Sequence, residues 1–190
     1  MDFYLELIAV ILGLAYLFFL IKEHIICWLF GVLGSLFSIL LFYRTGLYAE
    51  SILYIYYVII GVYGFVYWKK AIQENNEFKV TDFSISTYLY LIILGELLAI
   101  ILGYCFDNYT DAKMPYLDAQ TTVFSFIASY LEAKKKLGAW KFWIVINFVT
   151  IALYFNRNLS LYTGLTVIYT VFSFVGYKKW KKKIANQTEG

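Results

Sequence analysis

Apolar runs at residues 3–21, 26–43, 48–68, 87–106, 119–133, 139–156 and 159–177 take up most of the chain. Most come close to the roughly 20 residues that an α-helix needs to cross a bilayer. No soluble core absorbs so much: 62% of the 190 residues are hydrophobic, 22% are aromatic and only one is proline, against an apolar share of about half in soluble domains. The sequence therefore predicts an all-α polytopic membrane protein with seven transmembrane helices. The first run, FYLELIAVILGLAYLFFLI, has neither the basic start nor the small-residue cleavage site of a signal peptide, so it is expected to remain as the first spanning helix. The polar breaks KKAIQENNEFKVTDFSIS and DNYTDAKMPYLD are too short for a folded domain.

Lysine and arginine set the expected orientation, because basic loops are retained on the cytoplasmic side. With seven crossings, the loops after helices 1, 3, 5 and 7 share one side. That side carries 13 of the 16 basic residues: Lys22; Lys69, Lys70 and Lys79; Lys134, Lys135, Lys136 and Lys141; and the five lysines from Lys178 to Lys183. Only Arg44, Lys113 and Arg157 are left for the other. The N-terminus is thus expected outside and the C-terminus in the cytoplasm. The net charge of +3 is explained by lysines beside anionic headgroups and calls for no nucleic acid. Cys27 and Cys105 fall near opposite membrane faces, too far apart to pair.

Sliding the chain on itself by 112 residues aligns Glu6 with Asp118, Lys22 with Lys134, Trp28 with Trp140, Tyr57 with Tyr169, Gly64 with Gly176 and Trp68-Lys69-Lys70 with Trp180-Lys181-Lys182, without a gap. Both copies end in Trp-Lys-Lys on the same side. An even number of crossings must separate those ends, so the fourth helix is the extra one that keeps the copies parallel. The expected plan is 3+1+3: residues 1–70 as the first repeat, 71–117 as a linker with helix 4 and an external loop, 118–183 as the second repeat and 184–190 as a tail. Parallel repeats about an axis normal to the membrane are a transporter architecture, with the substrate site near the midplane.

Polar side chains fall in helical stripes. Helix 6 carries Trp140, Trp143, Asn147, Thr150 and Tyr154; helix 5 carries Thr122, Ser125, Ser129 and Glu132; helix 7 carries Thr163, Thr166, Thr170 and Ser173; helix 3 carries Glu50, Tyr54, Tyr57, Gly61, Gly64 and Trp68. Hydroxyls of this kind serve either a substrate path or packed helices, through bonds to neighbours and to their own backbone. An amide at mid-depth points more sharply to a ligand, since intramembrane polar groups usually face a bundle interior or a water-filled path. Where the second copy has Trp143 and Asn147, the first has Gly31 and Ser35. That asymmetry leaves space for a flat ring stacked on aromatic faces, its polar edge held by the amide; the competing reading is that Gly31 and Gly34 allow close helix contact. Trp140, nearer the helix end, is expected to anchor at the interface.

Catalysis has little to work with. His24 is the only histidine, no Gly-x-Ser-x-Gly or His-Glu-x-x-His occurs, and the carboxylates do not cluster, so no enzyme, metal or cofactor is expected. A sensor or assembly subunit would need a partner surface or soluble module, and none is visible. Glu96, mid-helix in helix 4, and Glu50 raise proton coupling as a rival to simple diffusion; a hydrogen-bonded structural Glu96 is the favoured reading.

The elements CWLFGVLGSLFSILLFYRTGLYAES, YYVIIGVYGFVYW, WKFWIVINFVTIALYFNRNLSLYTGLTVIY and VGYKKWKK, in this order, resemble the bacterial PnuC family of vitamin transporters. The resemblance spans roughly residues 5–183, and Trp-x-x-Trp-x-x-x-Asn at Trp140, Trp143 and Asn147 is its most specific part. It implies two parallel three-helix bundles joined by a central helix, similar in outline to the SWEET carriers, as a homotrimer in the bacterial inner membrane. It further implies facilitated diffusion of nicotinamide riboside, with a cytoplasmic kinase trapping the product; thiamine or riboflavin is the alternative cargo. The expected substrate-binding residues are Trp143, Asn147, Tyr57, Tyr54, Thr122, Ser125 and Tyr154. Two positions depart from the family pattern: Tyr54 stands where a glutamine is expected, and Tyr63-Gly64-Phe65 replaces Tyr-Gly-Trp.

Overall fold

The computed structural model describes residues 2–44, 48–74, 79–110, 112–156 and 160–188. Its elements are α1 (Asp2–Ile21), α2 (Cys27–Arg44), α3 (Tyr48–Gln73), α4 (Ile85–Tyr109), α5 (Pro115–Ala133), α6 (Gly138–Asn156) and α7 (Ser160–Thr188). Among the described residues, α1, α2, α4 and α6 are each long and apolar enough to cross a membrane. The helices overrun the apolar runs. Pro115 opens α5 four residues early, a position where its missing N–H costs nothing. At the other end, no Gly or Pro stops α7 after Gly176, so it runs past the expected end at 177 through the lysines to Thr188. The segment expected as a tail is therefore helical through residue 188.

The chain forms two compact units, Met1–Lys79 and Val80–Gly190. In the first, α2 packs against both α1 and α3. Trp28 and Trp68 are buried and meet edge to face, ring centroids 5.5 Å apart and planes at 88°. Gly64 makes room: a Cβ there would lie 2.5 Å from the Trp28 indole. Nearby, Phe19 stacks on Phe30 at 5.3 Å.

In the second unit α4 packs on α5, α5 on α6 and α6 on α7. Trp140 and Trp180 are fully buried and meet at 5.3 Å and 88°, and a Cβ on Gly176 would lie 2.6 Å from the Trp140 ring. Trp140 is thus a core residue. The expectation of an interfacial anchor fails because Gly176 opens a slot that takes the whole indole out of contact with the surroundings. On α4, Glu96 accepts a hydrogen bond from Gln120 Nε2 of α5 at 3.0 Å, so its carboxylate has a fixed partner.

The ends of α1 and α5 are capped alike. Glu23 has φ 55° and Lys135 has φ 50°. Glu23 N–H donates to the Leu20 carbonyl at 2.9 Å and His24 N–H to Phe19 at 3.0 Å; Lys135 N–H donates to Glu132 and Lys136 N–H to Leu131, both at 2.9 Å. Each is a two-bond Schellman cap that satisfies carbonyls left over at the helix end. Both use a non-glycine residue in the left-handed region, at roughly 1–2 kcal/mol of backbone cost.

Within the second unit the segment before α4 docks on the α5–α6 loop. Thr81 N–H donates to the Lys135 carbonyl at 3.1 Å, and Leu137 N–H donates back to Thr81 at 2.8 Å. Side chains reinforce the strap. Lys136 Nζ donates to Thr81 Oγ1 at 2.8 Å and lies 4.4 Å from the centre of the Phe83 ring; Lys141 Nζ sits 3.4 Å from Asp82 Oδ2. The Tyr88 hydroxyl donates to Asp82 Oδ1, and Val80 is buried beneath. Desolvation pulls the Lys136 ammonium below the usual lysine value, reinforced by Lys134 and opposed by Asp82.

Candidate substrate-binding site

Helix α6 runs from Gly138 to Asn156, and Asn147 stands at its centre, buried at 7% exposure. Its apolar neighbours Val145 and Phe148 point outward at 64% and 56% exposure, so the amide lies on the inward face. There Asn147 Nδ2 donates to Ser173 Oγ of α7 at 3.3 Å. One turn earlier on the same face, the Trp143 indole N–H is buried and finds no acceptor among the described residues. Tyr154, two turns after Asn147, is half-buried. Of the expected α6 stripe, Trp143, Asn147, Thr150 and Tyr154 retain some exposure, whereas Trp140 is sealed in the core.

The hydroxyls of α5 and α7 are spent locally. Thr122 Oγ1 donates to the Asp118 carbonyl at 2.8 Å, Ser125 Oγ to Thr121 at 2.6 Å and Ser129 Oγ to Ser125 at 2.8 Å. On α7, Thr170 Oγ1 donates to Thr166 at 2.8 Å and Ser173 Oγ to Tyr169 at 2.9 Å. All are bonds to the carbonyl one turn back, which let a hydroxyl sit inside a membrane helix without an outside partner. Thr122 and Ser125 keep lone pairs to accept with, but their protons are committed.

In the first unit, Tyr54 stacks on Phe42 of α2 with centroids 5.3 Å apart and planes at 29°, and meets Tyr57 edge to face at 5.4 Å. Both tyrosines are half-buried. The Glu50 side chain lies outside the described residues. The space expected at Gly31 is already filled: a Cβ there would sit 2.9 Å from the Tyr16 ring, and one at Gly34 would sit 3.3 Å from Leu12 Cβ. Close helix contact is what these glycines serve. By the 112-residue register Tyr16 corresponds to Ala128, which is fully buried, so large and small have changed places: Tyr16 with Gly31 in one copy, Ala128 with Trp143 in the other. The sequence pattern showed the small residue on α2 but not the ring on α1 that answers it.

A cavity of about 380 Å³ opens between the start of α5 and the end of α6, lined by Met114, Leu117, Phe148, Ala152, Leu153 and Asn156 among others. Its lining is apolar except for Asn156 and includes none of the seven expected binding residues. The stripe on α6, rather than this groove, gathers the polar groups.

The family model for the nicotinamide mononucleotide transporter matches residues 3–182. The nicotinamide riboside transporter PnuC of Neisseria mucosa is 26% identical over 195 residues, covering 96% of this chain and 74% of that protein. The PnuC of Escherichia coli K12, also a nicotinamide riboside transporter by name, is 19% identical over 202 residues, covering 93% and 84%. A crystal structure of the vitamin B3 transporter PnuC has the same fold, with a TM-score of 0.79 at 24% identity over 96% of this chain and 83% of that one. A match across nearly the whole length, in sequence and in the packing of seven helices, places this chain in the nicotinamide mononucleotide transporter family, the family of the PnuC membrane transporters.

Proposed function

We propose that this protein carries nicotinamide riboside across the bacterial inner membrane by facilitated diffusion, and that phosphorylation by a cytoplasmic kinase traps the product. The observation that carries the reading is Asn147: a buried amide at the centre of an apolar helix, bonded through Nδ2 only to Ser173 among the described residues. Polar groups at that depth cost several kcal/mol unless satisfied, and a substrate amide supplies the missing partner. The Trp143 indole stacks on the pyridine ring. Thr122, Ser125 and Tyr154 offer further oxygens from the same unit, and Tyr54 and Tyr57 remain expected substrate-binding residues within the first unit. The relatives named for nicotinamide riboside support this cargo. Glu96, held by Gln120, favours uniport over proton coupling.

The proposal includes the 3+1+3 plan, a homotrimer, an external N-terminus and a cytoplasmic C-terminus. The recurring indole pair and cap at a spacing of 112 residues support the repeat. Thermal-shift measurements on the purified protein with nicotinamide riboside, thiamine and riboflavin test the cargo: stabilisation by nicotinamide riboside is expected, and stabilisation by thiamine or riboflavin alone would overturn the assignment.

A further inference from the structure

The hydrogen bonds around Ser173 fix which way the Asn147 amide faces. Ser173 is 3% exposed and sits on α7. Its hydroxyl has one proton to give, and gives it to the Tyr169 carbonyl at 2.9 Å. Oγ is therefore left as an acceptor only, and the atom of Asn147 that meets it at 3.3 Å must be the NH₂. An amide whose two ends are otherwise interchangeable is set by such a network. Asn147 Oδ1 is left as the free end of the amide and accepts no hydrogen bond among the described residues, on a residue 7% exposed. Asn147 thus presents a fixed acceptor, which the N–H donor of a carboxamide complements.

We propose that Ser173 is a positioning residue that locks Asn147 with its carbonyl oxygen toward the substrate, so that the carrier selects a ring carboxamide and rejects the corresponding ring carboxylate. The inference rests on the reading of Asn147 as a substrate ligand. A carboxylate has no proton to give Oδ1, and its negative charge meets a lone pair. With the hydroxyl removed, the amide is free to turn its NH₂ toward the ligand, and the carboxylate gains a donor. Loss of Ser173 should then improve binding of the wrong ligand, an effect that plain loosening of the fold does not produce.

Isothermal titration of the purified full chain with nicotinamide riboside and with its ring-carboxylate counterpart, nicotinic acid riboside, tests this. The wild-type protein should prefer the carboxamide by about tenfold or more, the scale of one buried polar group left unpaired. Ser173→Ala should reduce that preference severalfold by strengthening carboxylate binding, and Ser173→Thr, which keeps a hydroxyl able to bond one turn back, should restore it. Equal wild-type affinity for both ribosides, or an unchanged preference in Ser173→Ala, overturns the role of Ser173 while leaving vitamin binding intact. No wild-type binding of nicotinamide riboside overturns the proposed cargo, and this inference with it.

Discussion

The Trp140 indole stands perpendicular to Trp180, ring centroids 5.3 Å apart and planes at 88°, and it reaches that position over a glycine, Gly176. Gly176→Ala would place a methyl group 2.6 Å from the ring, and overpacking of this kind costs about 1–3 kcal/mol. The variant should unfold at lower temperature in detergent. Combining it with Trp140→Phe, which withdraws the ring, should cost less than the sum of the two single changes; strictly additive losses would show that the contact is not the cause.

A second expectation concerns the strap before α4. Asp82 accepts from the Tyr88 hydroxyl and faces Lys141 Nζ at 3.4 Å. The Lys141 pair is exposed and worth little, about 0–1 kcal/mol, but the Tyr88 hydroxyl and the Phe83 N–H both donate to Asp82 Oδ1, and each hydrogen bond contributes about 0.5–1.5 kcal/mol. Asp82→Ala should therefore lower thermal stability clearly, while Lys141→Ala should barely change it. Equal effects of the two would assign the strap to the ion pair instead.

Much of this architecture is written in the sequence, and the parts that are not have physical reasons. The seven helices follow from the seven apolar runs, most of them close to the roughly 20 residues that a crossing needs. Trp28, Gly64 and Trp68 recur as Trp140, Gly176 and Trp180, and the same slot and perpendicular indole pair recur with them. Helix ends were less legible: α7 continues to Thr188 because lysines sustain a helix outside the apolar run as readily as water-facing residues do. The docking of Thr81 on Lys135 and Leu137 leaves no trace, because a single backbone pair between distant segments has no periodicity. Residue type alone also left open where the hydroxyls point. Ser125 and Ser129 read either as lining a substrate path or as residues bonding across packed helices or to their own backbone, and their protons go to the backbone.

Orientation gives a third expectation. A reporter fused after Lys183 should read as cytoplasmic and one at Asn108 as external, because lysine-rich loops are as a rule retained on the cytoplasmic side. A periplasmic signal from the fusion after Lys183 would contradict the arrangement.

The fourth concerns the binding face. Asn147→Leu keeps α6 apolar but removes the hydrogen bond proposed to reach the substrate, worth about 0.5–1.5 kcal/mol and more when the partner is left buried; affinity for nicotinamide riboside should fall about tenfold. Trp143→Ala should weaken binding as well, since an aromatic stacking pair contributes about 0.5–1.5 kcal/mol. Trp140→Phe should affect stability rather than affinity, since Trp140 is fully buried against Trp180. Normal affinity in Asn147→Leu would make Asn147 a packing residue.

Uptake of radiolabelled nicotinamide riboside into vesicles reconstituted with the purified protein tests the central claim most directly. Entry should be saturable, should require no ion gradient and should stop at equal concentrations inside and out unless a kinase and ATP are enclosed, in which case label should accumulate. Uptake no faster than in protein-free vesicles would contradict transport of this cargo, and uptake abolished by collapsing a pH gradient would contradict facilitated diffusion.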